Sequence, residues 1–205
     1  MKLNAILTSF MCTAAVFLTP AQAQQADISE AMSKVTTVSQ GLQATVADLQ
    51  TSISASANSA EEGTRLLDEM LAAATDVNDS LNKDSEVWQE INALLAQWSE
   101  KRDQLLIEAQ EDEALKEVAE LWQQRVDQGM ALRTQIIDQA STSSNLVDDI
   151  RAKRRLILAY YEVEAADQVL ANMQSISDQL GEMNTQMQAM LDTAGVEPSE
   201  LGVSQ

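Results

Sequence analysis

Residues 28–81 read ISEAMSKVTTVSQGLQATVADLQTSISASANSAEEGTRLLDEMLAAATDVNDSL, and a seam position recurs through them at alternating steps of four and three. Its members are Ile28, Met32, Val35, Ser39, Leu42, Val46, Leu49, Ile53, Ser56, Ala60, Gly63, Leu67, Met70, Ala74, Val77 and Leu81. A repeat of about 3.5 residues sustained this far keeps one narrow apolar stripe facing a partner helix, so the chain is expected to be all-α, an elongated antiparallel helical bundle or coiled coil. Within the seam, Ser56, Ala60 and Gly63 are small. The run Thr51 to Ser59 is rich in Ser and Ala, and Ser59 with Glu62 has capping-box spacing. That section marks either a close helix approach or a break.

Outward from the seam, Asn78 to Ser85 is the next discontinuity, because Asn, Asp and Ser compete with the helical backbone for hydrogen bonds. Asp84 or Ser85 would cap a new helix, and a first chain reversal is expected near residue 83. A second helix then carries Trp88, Ile91, Leu95, Trp98, Leu105, Leu115, Trp122, Val126, Gly129, Ile136 and Ala140 on its seam, with a slip at Glu111-Asp112-Glu113. Ser141 to Asn145 predicts a second reversal near 142, since Asp148 follows Asn145 at capping distance. The third segment closes on a clean seam of Val169, Met173, Ile176, Leu180, Met183, Met187 and Met190, and Gly195 and Pro198 end it.

These breaks favour three long helices of about 50 to 55 residues, about 80 Å each, folded up-down-up. Such an arrangement resembles spectrin-type three-helix bundles in architecture. Four or five shorter helices, with extra breaks near 56–60 or 111–113, are the alternative. With reversals at 83 and 142, Trp122 would lie level with Tyr161, and Trp88, Trp98, Trp122 and Tyr161 would form the aromatic layer of the core.

The N-terminus reads as a secretory leader: Lys2, an apolar stretch from Ala5 to Leu18, and Ala21-Gln22-Ala23 as the cleavage region. Residues 1–23 would be removed, leaving residues 24–194 as one helical domain and 195–205 as a flexible tail. The apolar stretch is about 14 residues where a spanning helix needs about 20, so no stable membrane insertion is expected after cleavage. The expected location is periplasmic, with extracellular the alternative.

The chain holds 13 Lys and Arg against 32 Asp and Glu, a net charge of −19. Charge of that sign repels nucleic acid phosphates and anionic lipid, which argues against both as partners. It has no histidine, and its one cysteine, Cys12, lies in the leader. Disulfides, imidazole or thiolate metal sites, Cys nucleophiles and Ser-His-acid triads are thereby excluded from the mature chain. Without a Gly-rich phosphate loop or nucleophile elbow either, no enzyme and no cofactor are expected.

Four features remain that chemistry might use. Arg151, Lys153, Arg154 and Arg155 form the one basic cluster, read either as a paired, solvated face or as a docking site for an acidic partner. Arg154 and Arg155 lack a partner at helical spacing, whereas Asp148 and Asp149 precede Arg151 and Lys153. Met173, Met183, Met187 and Met190 suit Cu(I) or a core seam, and the seam reading is preferred, so no metal is expected. Asp76, Asn78, Ser80 and Asp84 match an EF-hand count, but Leu81 and Val87 stand where the loop needs Gly and Glu. The resulting expectation is a non-enzymatic, exported interaction protein acting as scaffold, adaptor or holdase on an unidentified protein partner. A helical sensor for a small molecule or ion, and a membrane-active helical protein, are the alternatives. The same heptads would also support a homo-oligomeric coiled coil.

Overall fold

The computed structural model describes residues 20–195, with side chains described at residue 28 and over 32–195. Five helices follow one another: α1 (Pro20–Ser56), α2 (Ala60–Leu81), α3 (Glu86–Glu108), α4 (Leu115–Glu162) and α5 (Ala166–Thr193). They pack as a helical bundle, and no strand occurs among the described residues. The leader reading therefore falls outside the described residues over 1–19, while Pro20 to Ala23 already belong to α1. Of the expected tail, residues 196–205 lie outside the described residues.

Cross-helix pairs show how the five helices make four arms. Lys34 on α1 pairs with Glu86 on α3, and Thr37 to Thr45 share a groove with Glu69 to Ser80 of α2, so α1 runs antiparallel to α2 and α3 in turn. Arg133 and Asn92, Arg154 and Asp68, and Tyr161 and Ser56 tie α4 to α3, α2 and the end of α1. Gln139 meets the Met183 carbonyl, and Lys153 meets Ser175, which sets α5 antiparallel to α4. The path is up, down, up, down, with α2 and α3 as one interrupted arm, and three long helices do not describe it.

The reversals stand at 57–59, 109–114 and 163–165: the first two fall at the alternative breaks near 56–60 and 111–113, and the chain does not reverse near 83 or 142. At the first, Ser59 Oγ accepts from the Glu62 amide at 3.3 Å, the cap anticipated from spacing. Ser85 likewise caps α3 by accepting from the Trp88 amide at 3.1 Å, but the chain there is only kinked, because α2 and α3 both lie along α1 and α4. Ser141 to Asn145 continue α4 unbroken: Thr142 and Ser143 donate their hydroxyls back to the Asp138 and Ala140 carbonyls, which satisfies them without a cap. At 163–165 the Ala165 amide bonds the Tyr160 carbonyl and the Glu164 amide bonds the Tyr161 carbonyl, with Glu164 at φ 55°. This is a Schellman closure with glutamate in the left-handed position that glycine usually fills.

The core runs along the axis between the arms. Met32, Val35, Leu67, Met70, Ile150, Ile157, Met173, Ile176, Leu180 and Met187 are all completely enclosed. At the 57–59 end Tyr161 donates to the Ser56 carbonyl at 2.8 Å and lies directly over Gly63, where a Cβ would be 1.8 Å from its hydroxyl oxygen. Gly63 is therefore the residue that lets the end of α4 close onto the first reversal.

Candidate interaction surfaces

Toward the other end the bundle thins. Ala189 and Met190 of α5 stand level with Gln135 and Asp138 of α4, and α5 ends at Thr193. From there to the 109–114 reversal, α4 is backed by α3 as an antiparallel hairpin, with the first turns of α1 alongside α3. Its interior is built differently from the aliphatic core. The Arg125 guanidinium lies 4.7 Å from the Trp98 ring centre and 4.6 Å from that of Trp122, and Arg133 lies 4.7 Å from Trp88 while donating to Asn92 Oδ1 at 2.9 Å. Flat rings stacked with guanidinium planes enclose apolar surface along the hairpin. Gly129 admits this packing: a Cβ there would be 2.7 Å from Leu95 Cδ2 and 3.0 Å from Trp98 Cζ3.

The hairpin nevertheless leaves large apolar side chains in solvent. Leu106, Ile107, Val118 and Leu121 are 49%, 67%, 39% and 53% exposed, grouped around the reversal. Glu108, Glu111, Asp112, Glu113, Glu117 and Glu120 stand among them, with Lys116 paired to Glu113 at 3.0 Å. None of the four apolar residues was singled out from sequence. For Leu106, Ile107 and Leu121 the signal was present as apolar runs beside the seam, Leu105-Leu106-Ile107 and Leu121-Trp122, in which one member faces inward and its neighbours cannot.

The aromatic layer is partly rearranged. Trp98 is buried, and Trp88 and Trp122 pack partly buried against the core, all on the hairpin. Tyr161 shares α4 with Trp122 and lies 39 residues further along, about 58 Å away. A Trp122–Tyr161 layer is thus ruled out, because both residues ride on one continuous helix once the expected break at 142 is absent.

The basic cluster is largely absorbed by its surroundings. Arg151 pairs with Asp148 at 3.3 Å, and Lys153 with Asp149 at 2.8 Å and Ser175 Oγ at 3.2 Å. Arg154, which has no partner at helical spacing, pairs across to Asp68 of α2 at 2.8 Å. Arg155 is exposed, beside the exposed Leu156. Lys153 and Arg154 are therefore cross-helix ties, and Arg151 and Arg155 are the cations left at the surface.

The methionines Met173, Met183, Met187 and Met190 are at most 2% exposed and fill the α5 seam, so their sulfurs are closed off by packing. Asp76, Asn78 and Ser80 lie on the last turns of α2, where a calcium loop has no loop to form. Among the described residues, no group of three or more carboxylate, imidazole or thiolate ligands converges on a metal position. No described helix is long and apolar enough to cross a membrane.

Of the resolved charge effects, the Arg65 hydrogen bond holds the Glu62 carboxyl below its ordinary range, and that pair raises Arg65 in return. Both are exposed, so the pair trims the first turn of α2 without creating a reactive group. Burial pushes the Tyr161 hydroxyl above its ordinary value. No family model matches the chain, and neither the curated proteins nor the solved structures contain a significant match to it.

Proposed function

We propose that this is an exported, non-enzymatic interaction protein, a scaffold or adaptor that grips a protein partner with the α3–α4 hairpin. The observation that carries the reading is the exposure of Leu106, Ile107, Val118 and Leu121 on the part of the bundle that α5 does not back. Large apolar side chains held in water on two packed helices supply anchor area, and the carboxylates among them select a partner whose rim is basic. The absence of histidine and of any cysteine after residue 12 supports a non-enzymatic role, as does the enclosed core. Export rests on the leader pattern alone.

Retention of partners from an exported fraction on the immobilised chain tests this. Ile107→Asp together with Leu121→Asp should lower retention at least tenfold, and because both side chains are exposed the unfolding midpoint should stay within about 0.5 kcal/mol of the parent. Retention that survives both substitutions would refute the hairpin as the docking surface.

A further inference from the structure

α5 covers only part of the strip of α4 that faces it. Gln135, Gln139, Thr142, Leu146 and Asp149 line the grooves between the two helices, and Lys153 reaches Ser175 of α5. Those positions follow one another at steps of four and three, the spacing of a coiled-coil contact row. Continued backwards through the same steps, the row holds Leu132, Gln128, Arg125, Leu121 and Val118. Val118 and Leu121 stand at whole heptads from Gln139 and Thr142, and so lie on the α5 side of α4. Because α5 ends at Thr193, with Met190 level with Gln135, its cover stops near Leu132, which is 2% exposed. Among the described residues α1 packs on α3 and not on α4, so beyond Leu132 the row has no helix over it. The uncovered part is nevertheless the more apolar one. Under α5 the row offers one aliphatic side chain, Leu146, among Gln139, Thr142, Asp149 and Lys153. Toward the tip it offers Leu121 and Val118, 53% and 39% exposed, over a floor made by Arg125, which is buried and stacked on Trp98 and Trp122.

We infer that this open row takes one helix of the partner, a basic amphipathic helix laid on α4 end to end with α5; the inference rests on the hairpin as the gripping element and names what it grips. Continuity sets the shape of the occupant. The open row is the same row that α5 occupies further along α4, so its spacing accepts a helix. Charge sets the flanks of that helix. No carboxylate stands in the row from Val118 to Gln139, but Glu117 and Glu120 flank it on α4, Glu108 stands at the end of α3, and Glu111-Asp112-Glu113 cross the reversal. Lys116 is the one cation in that stretch of sequence, and it is paired to Glu113. Lys or Arg beside the apolar positions of the incoming helix meets these carboxylates, whereas an acidic helix, or a second copy of this chain at −19, is repelled. From Leu132 to Leu115 the row is about 26 Å long, so about 17 residues of helix cover it. Leu106 and Ile107 belong to α3 and are left to the rest of the partner.

A fluorescent peptide of about 18 residues, with Leu at helical steps of three and four and Lys elsewhere, tests this on the whole chain by anisotropy. The Lys peptide should bind, and the same peptide with Glu in place of Lys should bind at least tenfold more weakly. Val118→Asp with Leu121→Asp should weaken binding of the Lys peptide at least tenfold, although two added negative charges would strengthen an attraction of charge alone. Leu121→Asp by itself, at the more exposed of the two positions, should weaken it in the same direction with the unfolding midpoint unchanged. Binding that is unchanged or tightened by the aspartates, or no binding at several hundred micromolar peptide, would overturn the inference. Peptide binding lost on Ile107→Asp but kept by the variant at 118 and 121 would also overturn it, placing the helix elsewhere on the hairpin and leaving the hairpin reading standing.

Discussion

The four-arm section and the α3–α4 hairpin solve the same burial problem with different numbers of helices. In the first, each helix faces two others, and aliphatic and methionine side chains such as Ile150, Ile157 and Met187 are enclosed, with Ser56 Oγ donating to Met173 Sδ at 3.4 Å. On the hairpin, fewer helices are at hand, down to two at the tip, and Trp88, Trp98 and Trp122 stack with Arg125 and Arg133 to widen the covered strip. Even so Leu106, Ile107, Val118 and Leu121 remain outside. The frame also exposes Ile137, Leu156 and Val163, but the hairpin tip groups four such residues around one reversal, and there a partner gains most by arriving.

That contrast fails first, and most visibly, at Trp98. Trp98→Ala should cost about 3–5 kcal/mol, read by chemical denaturation. Hydrogen exchange on the same variant should place the loss in amides of residues 95–130, with the α1–α5 section still protected. A loss spread evenly over all arms would mean the two sections are one cooperative unit.

Next in size is the closed end of the frame. Gly63→Ala forces a methyl against the Tyr161 ring and should cost about 1–3 kcal/mol. Gly129→Ala should cost less, because the nearest atom it meets is the free end of Leu95 and helix propensity returns up to about 1 kcal/mol. Equal losses at the two glycines would contradict the rigid placement of Tyr161.

Tyr161→Phe removes one bond to the Ser56 carbonyl and should cost about 1 kcal/mol at neutral pH. The folded hydroxyl holds its proton above the ordinary value of 10.0, so its contribution is complete below about pH 10 and is lost as pH rises through the raised value. Denaturation midpoints followed from pH 8 to 11 should therefore fall less steeply for the phenylalanine variant than for the parent. The smallest effect is a gain. Gly41 has nothing within 4 Å of where a Cβ would be, so Gly41→Ala should stabilise the frame by about 0.5–1 kcal/mol in dilute solution.

Sequence periodicity reads burial well here and reads reversal poorly. Every seam position from Ile28 to Leu81 is buried except Val46 and Ala60. The four-three phase nevertheless passes through the 57–59 reversal undisturbed, since Ile53, Ser56, Ala60 and Gly63 keep step across it. A seam that faces the bundle axis on both sides of a tight turn keeps its phase through the turn, which shows only in the small seam residues and the Ser59–Glu62 cap spacing. Ser141 to Asn145 erred the opposite way, because hydroxyls that can cap a helix can equally bond back to its carbonyls. The 163–165 reversal was invisible because glutamate, not glycine, holds the left-handed position. For the candidate surfaces, residue identity located the basic cluster, but only tertiary contacts reveal that Asp68 takes up Arg154. The exposed apolar residues of the hairpin depend on where α5 stops, which no local pattern in α3 or α4 encodes.

A photo-crosslinking residue placed at Ile107, with a second placed at the exposed Gln188 of α5 as the frame control, tests the division between gripping hairpin and frame most directly. Activated in the exported fraction, the residue at 107 should give a defined adduct with another protein, and the one at 188 should not. Adducts of the same kind from both positions, or none from 107, would contradict the assignment of function to the hairpin.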